Sequence, residues 1–89
     1  MFVILTYDIK GKRVKKVLTT CRKYLDHIQL SVFEGKITDS KLNKLKQELK
    51  QIIVKDKDSI CIYEIDNTKY CRKNNIGIIN KTDEIMFIK

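Results

Sequence analysis

Asp8 is the residue of this 89-residue chain best placed for chemistry. Of the eight side chains from Phe2 to Ile9, seven are apolar, aromatic or β-branched, so the run predicts a strand buried on both faces. Alternation puts Val3, Leu5, Tyr7 and Ile9 on one face and Phe2, Ile4, Thr6 and Asp8 on the other. A carboxylate beside apolar surface is costly unless it is paired, hydrogen-bonded or holding a cation. Directly after it, Lys10 to Lys16 packs five bases into seven residues. One chain supplies no second carboxylate here, but a two-fold pair of chains does. Two like charges facing each other need a divalent cation or a shared proton. Oxygen ligands with open water positions suit Mg²⁺ or Mn²⁺, and such an ion can polarise a phosphodiester and activate a water for hydrolysis. The plain alternative is an aspartate that caps a turn.

Other chemistries find little support. His27 is the single histidine, at a helix-to-strand junction, and no Ser-His-acid or Cys-His set can be assembled. Gly11 is isolated, so no glycine-rich loop cradles a phosphate, and the basic-Gly-aromatic-Gly core of RNA-recognition modules is absent. Cys21, Cys61 and Cys71 form no CxxC pair, which suits reduced thiols in a cytoplasm. The opening apolar run, about eight residues, is too short for a signal peptide or a membrane span. A soluble cytoplasmic protein with no membrane partner is expected. Nineteen bases against eleven acids give a net charge of +8, which favours nucleic acid over an acidic membrane surface. With 43% hydrophobic residues and no proline, residues 1–89 form one globular domain.

The elements that position Asp8 follow from periodicity. Val14, Val17, Leu18, Cys21 and Leu25 mark one face of a helix over Arg13–Asp26, whose outer surface carries Arg13, Lys15, Lys16, Arg22 and Lys23. Ile28–Glu34 predicts a strand broken by Gly35, with Lys36–Thr38 starting a short hairpin partner. Leu42, Leu45, Leu49, Ile52 and Ile53 stripe a second helix over Asp39–Val54, capped by Thr38 or Asp39. Val54–Asp58 reads as a polar loop, Ser59–Ile65 as a strand, and Ile76–Ile79 and Ile85–Ile88 as β-like pieces of the tail. The order βαββαβ with extra C-terminal strand predicts an α+β, ferredoxin-like sandwich with both helices on one sheet face. The uncovered apolar face then predicts a homodimer, the tail from about residue 69 to 89 being exchanged with or packed on the partner.

Tyr7-Asp8-Ile9, Arg13, and Gln29-Leu30-Ser31-Val32-Phe33-Glu34-Gly35 together resemble the CRISPR-associated protein family Cas two. Asp58-Ser59-Ile60 leading into Ile62-Tyr63 resembles the family's fourth strand. The resemblance implies a ferredoxin-like dimer acting in CRISPR adaptation beside a partner integrase. It also implies a metal-dependent endonuclease on single-stranded RNA or double-stranded DNA. By resemblance, Asp8 is the Mg²⁺ ligand and catalytic acid residue, and Tyr7 supports catalysis. Phe33 and Ser31 support the dimer centre, and Arg13 joins Lys10, Lys12, Lys15, Lys16, Arg22 and Lys23 as nucleic-acid contacts. Lysines dominate that set, so they act as point charges rather than bidentate forks. Two alternatives share the fold. One is a non-catalytic scaffold gripping duplex DNA, which needs the basic faces but not Asp8. The other is a VapD-like ribonuclease toxin. A small-ligand regulatory module has no need of the charge.

Overall fold

The computed structural model describes residues 1–67 and 70–78. The opening apolar run forms β1 (Phe2–Asp8) in the middle of a five-stranded antiparallel sheet. It is followed by α1 (Arg13–Arg22), β2 (Asp26–Gln29), β3 (Val32–Lys36), α2 (Asp39–Ile52), β4 (Ser59–Asn67) and β5 (Tyr70–Gly77). The strand order is β2-β3-β1-β4-β5. The first four strands with their two crossover helices have the expected ferredoxin-like arrangement, and β5 extends the sheet beyond β4.

Strand alternation decides where the core sits. Val3 and Leu5 of β1 are fully buried, together with Phe33, Ile60 and Ile62 of the flanking strands, and Ile76 of β5 is buried beside them. Val17 and Cys21 of α1 and Leu42, Leu45 and Leu49 of α2 join the same cluster, so both helices cover one sheet face. Phe2, Ile4 and Thr6 on the other face are only half-buried. Thr38 caps α2, its hydroxyl accepting from the Lys41 amide at 3.3 Å. Glu48 of α2 accepts from Lys23 and Tyr24 at the end of α1, tying the helices together.

Three expectations are corrected. The single strand over Ile28–Glu34 is two, β2 and β3, joined at Leu30–Ser31. Leu30 takes a positive φ of 36°, and His27 Nε2 donates to its carbonyl at 2.7 Å. The hairpin therefore lies before Gly35, which sits inside β3 rather than breaking it, paired with Val3. The first helix stops at Arg22 because Asp26 already pairs with Glu34 in the sheet. The tail's first strand begins at Tyr70, well before Ile76, since pairing with β4 carries β5 through residues without apolar alternation before Ile76 reaches the core. The expected strand at Ile85–Ile88 and the exchange of the tail lie outside the described residues. Among the described residues, no helix is long and apolar enough to cross a membrane.

Candidate functional site

Two carboxylates stand at the end of β1 where the chain turns into α1, and they differ sharply. Asp8, paired in register with Ser59, is exposed on the face away from the helices. Its one ionic contact among the described residues is Lys10 Nζ at 3.5 Å, and both side chains are about two-thirds exposed (66% and 63%). An ion pair so open to water holds little. The acceptor positions of Asp8 are thus available to a cation.

Asp58, the residue before β4, is fully buried. Its Oδ1 accepts from the Lys10 amide at 2.9 Å and from Arg13 Nη2 at 3.0 Å. Its Oδ2 accepts from Arg13 Nε at 2.6 Å and from the Val54 amide at 2.9 Å. Four donors fill the four lone-pair positions of the carboxylate. The Arg13 guanidinium, with the Val54 and Lys10 amides, holds the Asp58 carboxyl well below the usual carboxylate range despite burial. The sequence predicts a polar loop over Val54–Asp58, but Asp58 is buried and fixes the turn that follows Asp8.

The remaining expected site residues divide by location. Lys12, Lys15 and Lys16 are exposed and, with Thr19, Thr20 and Ile52, line an open depression beside α1. Lys10 stands next to Asp8. Arg13, expected at phosphate, directs two of its donor groups inward to Asp58. Arg22 Nη2 donates to His27 Nδ1 at 3.4 Å, and Lys23 donates to Glu48. Tyr7, expected to act with Asp8, faces the helices, its ring 6.2 Å from that of Phe33. Burial, and after it the neighbouring Cys21, pushes its hydroxyl pKa up. Within one chain, therefore, the structure does not bring the Tyr7 and Asp8 side chains together. Phe33 is fully buried between Tyr7 and His27, whose ring lies 4.5 Å away. The Ser31 carbonyl accepts from the Tyr7 amide at 3.2 Å. Phe33 and Ser31 thus brace the end of β1 from the side.

Cysteine chemistry has no foothold in Cys21, whose thiol is pushed up to about 12 by burial. Among the described residues, no three His, Cys, Asp or Glu side chains gather in a metal-binding group. Among the described residues, the donor set offers a metal one exposed carboxylate, Asp8, with the other positions left to water or further oxygen ligands. Mg²⁺ tolerates that donor set.

The family model for CRISPR associated protein Cas2 matches residues 1–73, nearly the whole described chain. The chain belongs to the Cas2 family. A CRISPR-associated endoribonuclease Cas2 of Dictyoglomus turgidum is 45% identical over 87 residues, covering 97% of this chain and 100% of the relative. One from Thermotoga maritima, with the same name, is 38% identical over 87 residues, covering 98% and 100%. Among solved structures, a crystal structure of cas2 superposes with a TM-score of 0.71 at 34% identity, covering 90% of this chain and 86% of the other. Streptococcus pyogenes Cas2 at pH 6.5 gives 0.69 at 34% identity, covering 76% and 89%. The match extends over β1, the Asp58 anchor and the start of β5.

Proposed function

We propose that this Cas2 chain is a cytoplasmic homodimeric endonuclease of CRISPR adaptation. It hydrolyses phosphodiester bonds in single-stranded RNA or double-stranded DNA with Mg²⁺ or Mn²⁺, beside a partner integrase. The observation that carries the reading is the open carboxylate of Asp8, at the mouth of a lysine-rich turn whose backbone is locked by Asp58. Relatives of this length and similarity are named endoribonucleases, which supports a nucleic-acid substrate.

In this reading, Asp8 of each copy would hold the metal, which when bound supplies a polarised phosphate and a water of lowered pKa. The chain's own residues do the rest. Lys12, Lys15 and Lys16 attract and seat the phosphate backbone. Asp58 and Arg13 keep the Lys10–Arg13 turn in one conformation, so Asp8 does not drift. Tyr7, Phe33 and Ser31 hold the strand end that presents Asp8.

Cleavage of RNA and duplex DNA with and without Mg²⁺ tests this directly. Asp8→Asn should lower the Mg²⁺-dependent rate by about 100-fold or more. Equal residual cleavage by both proteins would remove the nuclease. The exposed lysines of α1 favour one further reading, a non-catalytic scaffold for duplex DNA. Salt-sensitive duplex binding that survives Asp8→Asn, with no cleavage by either protein, would decide for it.

A further inference from the structure

The sheet face turned away from the helices is ordered into rows by the register of the strands. Phe2 lies between Lys36 and Ile65, Ile4 between Glu34 and Tyr63, and Thr6 between Val32 and Cys61. Strand β5 adds Cys71, Lys73 and Asn75 to these rows in turn. The middle row thus reads Asp26, Glu34, Ile4, Tyr63, Lys73, with two acids toward one end and a base at the other. Lys73 Nζ is shut off from solvent and meets no hydrogen-bond acceptor, its one described contact being the Tyr63 ring centroid at 5.7 Å. A desolvated ammonium without an acceptor is unfavourable by several kcal/mol as a rule, and an opposing carboxylate relieves it. The acids nearest in sequence are committed elsewhere, Glu64 to Lys46 and Arg72, and Asp66 to Arg72. Glu34 makes no ion pair among the described residues.

Two facing copies of this sheet can be related by a two-fold axis across the strands or along them. An axis across the strands lays β3 over β3, so the middle row meets itself with Glu34 on glutamate and Lys73 on lysine. It also sends the two Asp8 residues to opposite ends. An axis along the strands, between β1 and β4, keeps height and reverses strand order. It lays β3 over β5 and brings both Asp8 residues to the same end. We infer that the Lys73 side chain turns outward and Glu34 of the partner subunit closes on it, twice by symmetry, and that these two pairs set the orientation of the dimer. The apolar residues Phe2, Ile4 and Ile65 fill the space between the pairs. The inference rests on the dimer of the proposed function and specifies which residues of the second copy complete this face.

Reciprocal charge reversal tests it, read by sedimentation equilibrium, with circular dichroism to establish that each variant folds. Glu34→Lys and Lys73→Glu should each weaken self-association by more than about tenfold. An equimolar mixture of the two restores opposite charges at both positions, and should form a heterodimer within a few-fold of wild-type affinity. The milder Glu34→Gln and Lys73→Met serve if a reversal does not fold, and each should weaken the dimer in the same direction. A wild-type dimer that the substitutions leave unchanged, or a mixture as weak as either single variant, overturns the ion pair alone. A monomeric wild type overturns the dimer reading beneath it.

Discussion

Asp8 and Asp58 carry the same group, lie at the same end of the sheet, and have opposite fates. Asp58 has every lone-pair position filled and is sealed from water. Among the described residues, Asp8 has one loose cationic neighbour, and it is open to solvent. A saturated carboxylate has nothing left to offer a ligand, so its free energy goes into fixing backbone. An unsaturated one contributes little to the fold and keeps its acceptors for a ligand. Arg13 makes the division possible: its planar fork serves both oxygens of Asp58 and draws the first turn of α1 onto the loop before β4.

The sharpest break of this contrast is to truncate each acid in turn. Asp58→Ala leaves the Arg13 charge and two amides without their acceptor, and removing one member of a buried pair typically destabilises by about 3–5 kcal/mol. For a domain of this size each kcal/mol shifts the midpoint by roughly 4–8 °C, so thermal unfolding should show a fall of at least about 10 °C. Asp8→Asn should move stability by no more than about 0.5 kcal/mol, as for an exposed pair. Comparable destabilisation by both substitutions would erase the distinction.

The sequence revealed Asp8 and hid Asp58, for a physical reason. Asp8 ends an apolar strand, and an acid in that position is conspicuous from its neighbours alone. Asp58 sits among Lys55, Asp56 and Lys57, and its partners Lys10 and Arg13 are 48 and 45 residues away, so local pattern reads it as solvated. The two helices and β1 were legible because their apolar positions repeat at the right period. The β2–β3 turn was not, because Leu30 holds a positive φ without the glycine or asparagine that would announce it. Strand β5, Tyr-Cys-Arg-Lys-Asn-Asn-Ile-Gly, has no apolar alternation and depends on the edge that β4 presents. Alternation alone divides Tyr7 and Asp8 between the two faces of β1, but which face the helices cover emerged only with the packing of Tyr7 against Phe33.

The two glycines near these acids sharpen the comparison at a smaller scale. Gly77, with φ +91°, ends β5 against the backbone of Asp58, where an added Cβ would lie 2.1 Å from the Asp58 carbonyl oxygen. That oxygen also accepts from the Ile78 amide at 3.0 Å, so neither group can yield cheaply. Gly77→Ala should destabilise by about 1–3 kcal/mol in chemical denaturation. Gly11, with φ +63° in the turn after Asp8, has nothing within 4 Å of an added Cβ. Gly11→Ala should meet only the left-handed backbone penalty, about 1 kcal/mol. Equal effects would mean that the Asp58 end is no more tightly closed than the Asp8 end.

Acid provides the smallest and most specific separation. The folded-state pKa of Asp58 is depressed, so its stabilisation is fully present above the ordinary carboxylate range. As pH falls through the unfolded-state value near 4, the unfolded chain takes up a proton that the folded chain refuses, and the stabilisation declines. From pH 7 to pH 3 this single group accounts for a loss of about 1 kcal/mol. Denaturant titrations of wild type and Asp58→Asn at the two pH values isolate that contribution, because the variant lacks the proton uptake. The wild-type decline should exceed that of Asp58→Asn by about this amount. In Asp8→Asn the Asp58 contribution to the decline should persist, since that substitution leaves the four donors to Asp58 in place.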